Sequence, residues 1–178
     1  MVSKFTNCYF YLLCCRSRIA IIPQVPFIFS GTIRENLDPT GRFSDQQVLR
    51  ALQRCSLAEM VAQWGGLQTD VLERGGLLSA GQKQLVCLAR ALLLNTRVIC
   101  IDEATANVDL ETDRLIQQTI RTAFRSGTVL TIAHRMETTL DSDRILVMNA
   151  GQIVALDTPS KLLENPSSQF SKLVACFK

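Results

Sequence analysis

Two adjacent carboxylates, Asp102 and Glu103, close a run of four apolar residues, Val98-Ile99-Cys100-Ile101. A strand ending this way can hold one acid near a magnesium ion and the other near an attacking water. Phosphoryl transfer needs both roles, because it relies on positioning and charge neutralisation. Leu78-Ser79-Ala80-Gly81-Gln82 comes earlier and opens a run with helical spacing. The free N–H groups and positive dipole end of such a helix make an anion site. Ser79 can add a hydroxyl, and Gly81 lets a ligand approach the backbone. His134, the only histidine, follows a second apolar run, where polar residues of α/β sheets reach a ligand crevice. Gln24 lies just beyond Ile19-Ala20-Ile21-Ile22, and its amide can coordinate magnesium or orient water. No glycine in the chain is followed by lysine, so the phosphate-cradling pattern G-x-x-x-x-G-K-[ST] does not occur. Each feature alone has an ordinary reading as a strand end, a capping box, a structural histidine or a loop amide. Their order in one chain gives them weight.

The elements that must position these groups alternate between strand and helix. Ile19 to Ile22 reads as a short buried strand stopped by Pro23. Capping boxes at Thr32–Glu35, Ser44–Gln47 and Ser56–Glu59 each predict a helix start. Residues 32–76, with Gly65-Gly66 and Gly75-Gly76 near their end, therefore read as a small helical insert. Ser79–Gln82 is a fourth capping box, and its helix runs to Asn95. Val98–Asp102 and Thr128–Ala133 read as strands, and their runs Val98–Ile101 and Val129–Ala133 are apolar without alternation, as expected of strands buried on both faces. Leu110 to Phe124 is a helix between them. Arg144–Met148 and Ile153–Leu156 flank Ala150-Gly151 as a hairpin. Thr158-Pro159 opens the closing helices. This alternation predicts an α/β sheet.

Composition sets the outer limits. At 178 residues, 47% hydrophobic and 20% charged, the chain can build one real core. A net charge of +3, with the basic residues dispersed, argues against nucleic acid as the main partner. Seven cysteines, an odd number without metal-ligand spacing, fit a reducing setting better than a disulfide scaffold. No run of about 18 apolar residues occurs, so no transmembrane segment is expected. Residues 1–15 carry Lys4 and an apolar stretch but no small-residue cleavage site. They read as an atypical leader.

Taken together, the motifs resemble the nucleotide-binding domain of ATP-binding cassette (ABC) transporters. Gln24 sits at the Q-loop, and Leu78-Ser79-Ala80-Gly81-Gln82 is similar to the L-S-G-G-Q signature with one change. Asp102-Glu103 resembles Walker B plus the catalytic glutamate, Ala106-Asn107-Val108-Asp109 the D-loop, and His134 the switch histidine. Phe29 to Pro39 and Val129 to Arg135 look like the second such domain of C-subfamily, multidrug-resistance-protein-type exporters. The resemblance covers residues 16–178, with the helical insert at 32–76 and the signature, Walker B, D-loop, histidine and final helices in 77–178.

The resemblance implies a partial P-loop NTPase-type fold: the helical subdomain plus the C-terminal part of a mainly parallel core sheet. It implies ATP and Mg2+, with Asp102 and Gln24 serving the metal, Glu103 polarising the attacking water and His134 contacting the γ-phosphate. Ser79, Gly81 and Gln82 would cover nucleotide held by a second nucleotide-binding domain in a head-to-tail dimer, and Asp109 would couple the two sites. The partners implied are that domain and the transmembrane domains of an exporter, through which the chain would sit on the cytoplasmic side of a membrane. The Walker A loop and its strand should precede Arg16, and residues 1–15 match neither. The chain is therefore expected to be truncated before the Q-loop, poorly stable alone and not self-sufficient in hydrolysis. Three readings follow. The chain is the C-terminal part of an exporter's motor, a non-hydrolysing module lending its signature to a partner, or a fragment without a role of its own. A chromosome-maintenance ATPase head fits less well, because no sustained heptads occur.

Overall fold

The computed structural model describes residues 18–72, 76, 78–103, 108–132 and 139–176. The chain divides into two compact units after Ile132. In chain order the first holds β1 (Ile19–Ile22), β2 (Gly31–Thr32), α1 (Ile33–Leu37), α2 (Asp45–Arg54) and α3 (Ala58–Gln63). It continues with β3 (Asp70–Val71), α4 (Ala80–Leu94), β4 (Val98–Asp102), α5 (Leu110–Ala123) and β5 (Thr128–Ile132). No described helix is long and apolar enough to cross a membrane.

Strands β1, β4 and β5 form a parallel sheet in that order, with Ile22 opposite Ile101 and Ile101 opposite Thr131. Parallel neighbours need long crossovers. The segment ending in α4 supplies one, and α5 supplies the other. Burial alternates along β1 and β4: Ala20, Ile22, Ile99 and Ile101 are buried, whereas Ile19 and Ile21 are exposed. Because Ala20 pairs with Ile99 and Ile22 with Ile101, the buried four share one face of the sheet. Leu85, Leu88 and Ala89 of α4 and Ile116 of α5 complete the core with them.

This corrects the expectation of strands buried on both faces. Among the described residues these helices cover one face only, so Leu130 and Ile132 of β5 remain 57% and 62% exposed. An uninterrupted apolar run cannot report which of its faces finds a cover.

Two of the three capping boxes in the insert form as read. The Thr32 side chain accepts from the Glu35 amide and that of Ser44 from the Gln47 amide, and each third residue reaches back to the cap. The box at Ser56 does not form. Ser56 has φ +55, and α3 starts from Leu57 without a side-chain cap. The competing demand is the exit of α2, where the Ser56 amide donates to Gln53 O and the Leu57 amide to Leu52 O. Asp38 closes α1. It pairs with Arg34 at 3.2 Å and accepts the Phe43 amide at 2.8 Å. Burial alone would raise its pKa. Donation from the Phe43 and Arg42 amides, then from Arg34 and Thr40, instead lowers it to about 2.

The second unit holds the antiparallel pair β6 (Ile145–Asn149) and β7 (Gln152–Asp157), then α6 (Pro159–Glu164) and α7 (Gln169–Cys176). The hairpin was legible because Ala150-Gly151 forms its two-residue turn. Both residues take positive φ, +47 and +77, as a type I′ turn demands. Ile145 and Val147 pack with Leu162 and Phe170 in a small core.

Two outcomes test this account. Ser56→Gly raises the urea midpoint, worth about 0.5–1 kcal/mol, because a left-handed residue is relieved of its Cβ. A helix cap at Ser56 would give no gain. Asp38, whose folded pKa is depressed, stabilises the fold above its unfolded value and stops doing so as pH falls. The stability gap between wild type and Asp38→Asn therefore narrows by about 2 kcal/mol between about pH 4 and pH 2, read by denaturant titration at each pH.

Candidate functional site

Because β1 and β4 run parallel and in register, their C-terminal ends lie side by side. Two residues past β1, Gln24 Nε2 donates to Glu103 Oε2 at 2.9 Å. A carboxylate only accepts, so the amide nitrogen must face Glu103, which leaves the Gln24 oxygen as an acceptor. Glu103 lies in the left-handed region, at φ +43, which is uncommon for a residue with a Cβ. Its amide donates to Ile132 O, the last residue of β5, at 3.1 Å. Glu103 is thereby tied both to the segment leaving β1 and to the end of β5. Asp102 is the exposed last residue of β4. Gln24, Asp102 and Glu103 thus stand together at the carboxyl edge of a parallel sheet, where open α/β folds bind ligands. His134 lies outside the described residues.

Among the described residues no three His, Cys, Asp or Glu side chains converge as a metal cluster. Magnesium does not need one. It keeps water and phosphate oxygens in its shell and takes one or two protein oxygens. Asp102 with the Gln24 amide oxygen is a donor set of that kind.

The second group of expected residues gathers where α4 meets α5. Ser79 is the N-cap of α4. Its hydroxyl accepts the Gln82 amide at 3.2 Å, while Gln82 Oε1 accepts the Ser79 amide at 2.8 Å. Gly81 is buried, and a methyl there would overlap Thr112 and crowd Val108. Its lack of a side chain serves the packing of α4 on the start of α5, a use the sequence did not reveal. Asp109 caps α5 and accepts the Thr112 amide at 2.9 Å. Bonds from the Thr112 amide and then its hydroxyl hold the Asp109 carboxyl below the usual carboxylate range. Gly81 thus packs the start of α4 on the start of α5, with the Ser79–Gln82 cap at one of these helix starts and the Asp109 cap at the other. Ala106 and Asn107 lie outside the described residues.

Sequence reasoning missed two side chains on α4. Gln84 is 2% exposed, and its Nε2 donates to Pro23 O at 3.1 Å and to Gln24 O at 2.9 Å. Arg90 donates to the Phe27 carbonyl and to Asn36, whose side chain holds both backbone groups of Phe29. The available signal was a polar side chain on the buried stripe of an otherwise apolar helix, which obliges it to find a partner.

The ABC transporter family profile matches residues 13–106, more than half of the chain. The chain is 56% identical over 159 residues to ATP-binding cassette sub-family C member 10 of Mus musculus, covering 89% of this chain and 11% of that protein. It is 48% identical over 160 residues to metal resistance protein YCF1 of Saccharomyces cerevisiae, with the same coverage. The chain thus spans about a tenth of the length of the curated relatives it matches. Among solved structures, a bacterial Atm1-family ABC exporter with ATP bound superposes with a TM-score of 0.81 at 33% identity. That match covers 91% of this chain and 28% of the exporter chain.

Gly81→Ala lowers stability in urea titration by about 1–3 kcal/mol, the usual cost of overpacking. Combining it with Thr112→Ser, which removes the overlapped methyl, restores part of the loss. An equal loss in the double variant would show that the contact with Thr112 is not the cause.

Proposed function

The chain belongs to the ABC transporter family, with the fold of its nucleotide-binding domain, and on that premise we propose that it is the C-terminal part of an exporter's ATP-hydrolysing motor. The observation that carries this reading is the Gln24–Glu103 hydrogen bond at the carboxyl edge of the parallel sheet. It brings a ligating amide and a general-base carboxylate together from positions 79 residues apart. The phosphate-binding loop comes from sequence outside these 178 residues. The exposed outer edge of β5 supports this, since among the described residues β5 pairs only with β4.

In this mechanism Glu103 accepts a hydrogen bond from water and aligns it for in-line attack on the γ-phosphorus of ATP. Asp102 and the Gln24 oxygen would hold Mg2+, which when bound neutralises charge on the phosphate oxygens. The Gln24 nitrogen keeps the Glu103 carboxylate oriented. His134 contacts the γ-phosphate as a hydrogen-bond donor. Ser79, Gly81 and Gln82 present the start of α4 to nucleotide bound on a second nucleotide-binding domain, in a head-to-tail pair, and Asp109 links the two sites. The motor drives transport through the exporter's transmembrane domains at the cytoplasmic face of a membrane.

A second reading has its own support. The capping box that shapes the start of α4 closes within Ser79–Gln82, so the chain could lend this corner to a partner without turnover of its own.

Glu103→Gln in the full-length protein lowers ATP hydrolysis by about a hundred- to a thousand-fold while nucleotide affinity is kept, the signature of a lost general base. Full activity in this variant would overturn the motor reading. ATP binding by both wild type and variant, with hydrolysis by neither, would favour the module.

A further inference from the structure

From the contacts of helix α4 we infer that Gln84 is a positioning residue that sets Gln24, and through it Glu103, relative to the helix carrying Ser79 and Gly81; this rests on the motor reading above. Both carbonyls that Gln84 engages, Pro23 O and Gln24 O, only accept, so its orientation is fixed with the NH2 toward the loop. Its oxygen, Oε1, is buried with no hydrogen-bond partner among the described residues. An apolar side chain of the same length would avoid that cost. The amide is compensated only by its two bonds to the loop.

The geometry makes a continuous chain. Gln84 holds the backbone of Gln24, the Gln24 side chain donates to Glu103, and the Glu103 amide donates to β5. Gln84 lies one helical turn after Gly81, on the same rigid element. Ile22 and Ile28 anchor the loop in the core, but between them Gln24 is exposed and Val25 and Phe27 are 76% and 69% exposed, so packing does little to fix Gln24 itself. Its position is set by hydrogen bonds from α4, with Arg90 gripping Phe27 further along. A shift of the start of α4 therefore moves the Gln24 amide away from or toward Glu103. The helix start that serves one nucleotide and the carboxylate that serves the other are linked through the buried amide of Gln84.

The test uses the full-length protein and Gln84→Met, which keeps the volume and removes the donor. Without nucleotide, hydrogen–deuterium exchange of residues 22–28 rises about ten-fold while residues 85–94 are unchanged, a local loosening distinct from global destabilisation. Unchanged exchange in 22–28, or an equal rise in both segments, overturns the inference. In steady-state hydrolysis, kcat falls about ten-fold and KM for Mg-ATP stays within about two-fold, because Gln84 touches no nucleotide. In a Gln24→Ala background, Gln84→Met lowers kcat further by less than about two-fold, since its effect passes through Gln24. Full multiplication of the two effects assigns Gln84 a merely structural role. Should the Met variant fail to fold, Gln84→Asn, with the donor drawn back by one methylene, replaces it in both assays with the same expected directions. A wild type that hydrolyses no ATP would sink the motor reading, and the exchange experiment would still decide whether Gln84 holds the loop.

Discussion

The parallel, in-register pairing of β1 with β4 is the constraint on which the rest of the first unit depends. It sets Ala20 and Ile22 beside Ile99 and Ile101, making one continuous apolar face for α4 and α5. The same pairing carries the chain past Ile22 and Ile101 in one direction. Gln24 and Glu103 then emerge together and meet at 2.9 Å. Core and site are two ends of one register. A slip by one residue would turn the apolar set outward and separate the amide from the carboxylate.

Glu103 shows how the fold holds a costly conformation. A left-handed backbone at a residue with a Cβ is unfavourable by about 1–2 kcal/mol. It persists because its amide is bonded to Ile132 and its side chain to Gln24, which fixes it from both sides. Strain of this kind collects at functional positions. Ser56 is also left-handed, but it sits at a helix exit and is explained by the turn that closes α2.

Helix α4 joins three jobs that the motif language keeps apart. Its start is shaped by Ser79 and Gln82, its second residue packs on α5, and its buried stripe grips the Gln24 loop through Gln84 and Arg90. Gly81 illustrates the difference. Read alone, a glycine in such a motif suggests room for a ligand. In the fold, that room on its Cβ side is taken by Thr112 and Val108.

The sequence by itself determined most of what closes within a few residues. The capping boxes at Thr32, Ser44 and Ser79, the hairpin at Ala150-Gly151 and the span of α5 were readable, because donor and acceptor lie close in the chain, and the extent of β4 was readable from its apolar run. The order of the motifs was likewise enough to indicate the family. Only the tertiary structure decided which face of an apolar strand is covered, that Ser56 closes one helix instead of opening the next, and that Gly81 is a packing contact. It alone joined Gln24 to Glu103 and Gln84 to Gln24, across 79 and 60 residues. The physical reason is one of range. A local bond is specified by the residues that make it. A bond across the sheet depends on a register, and that register is chosen by the burial of apolar faces far along the chain.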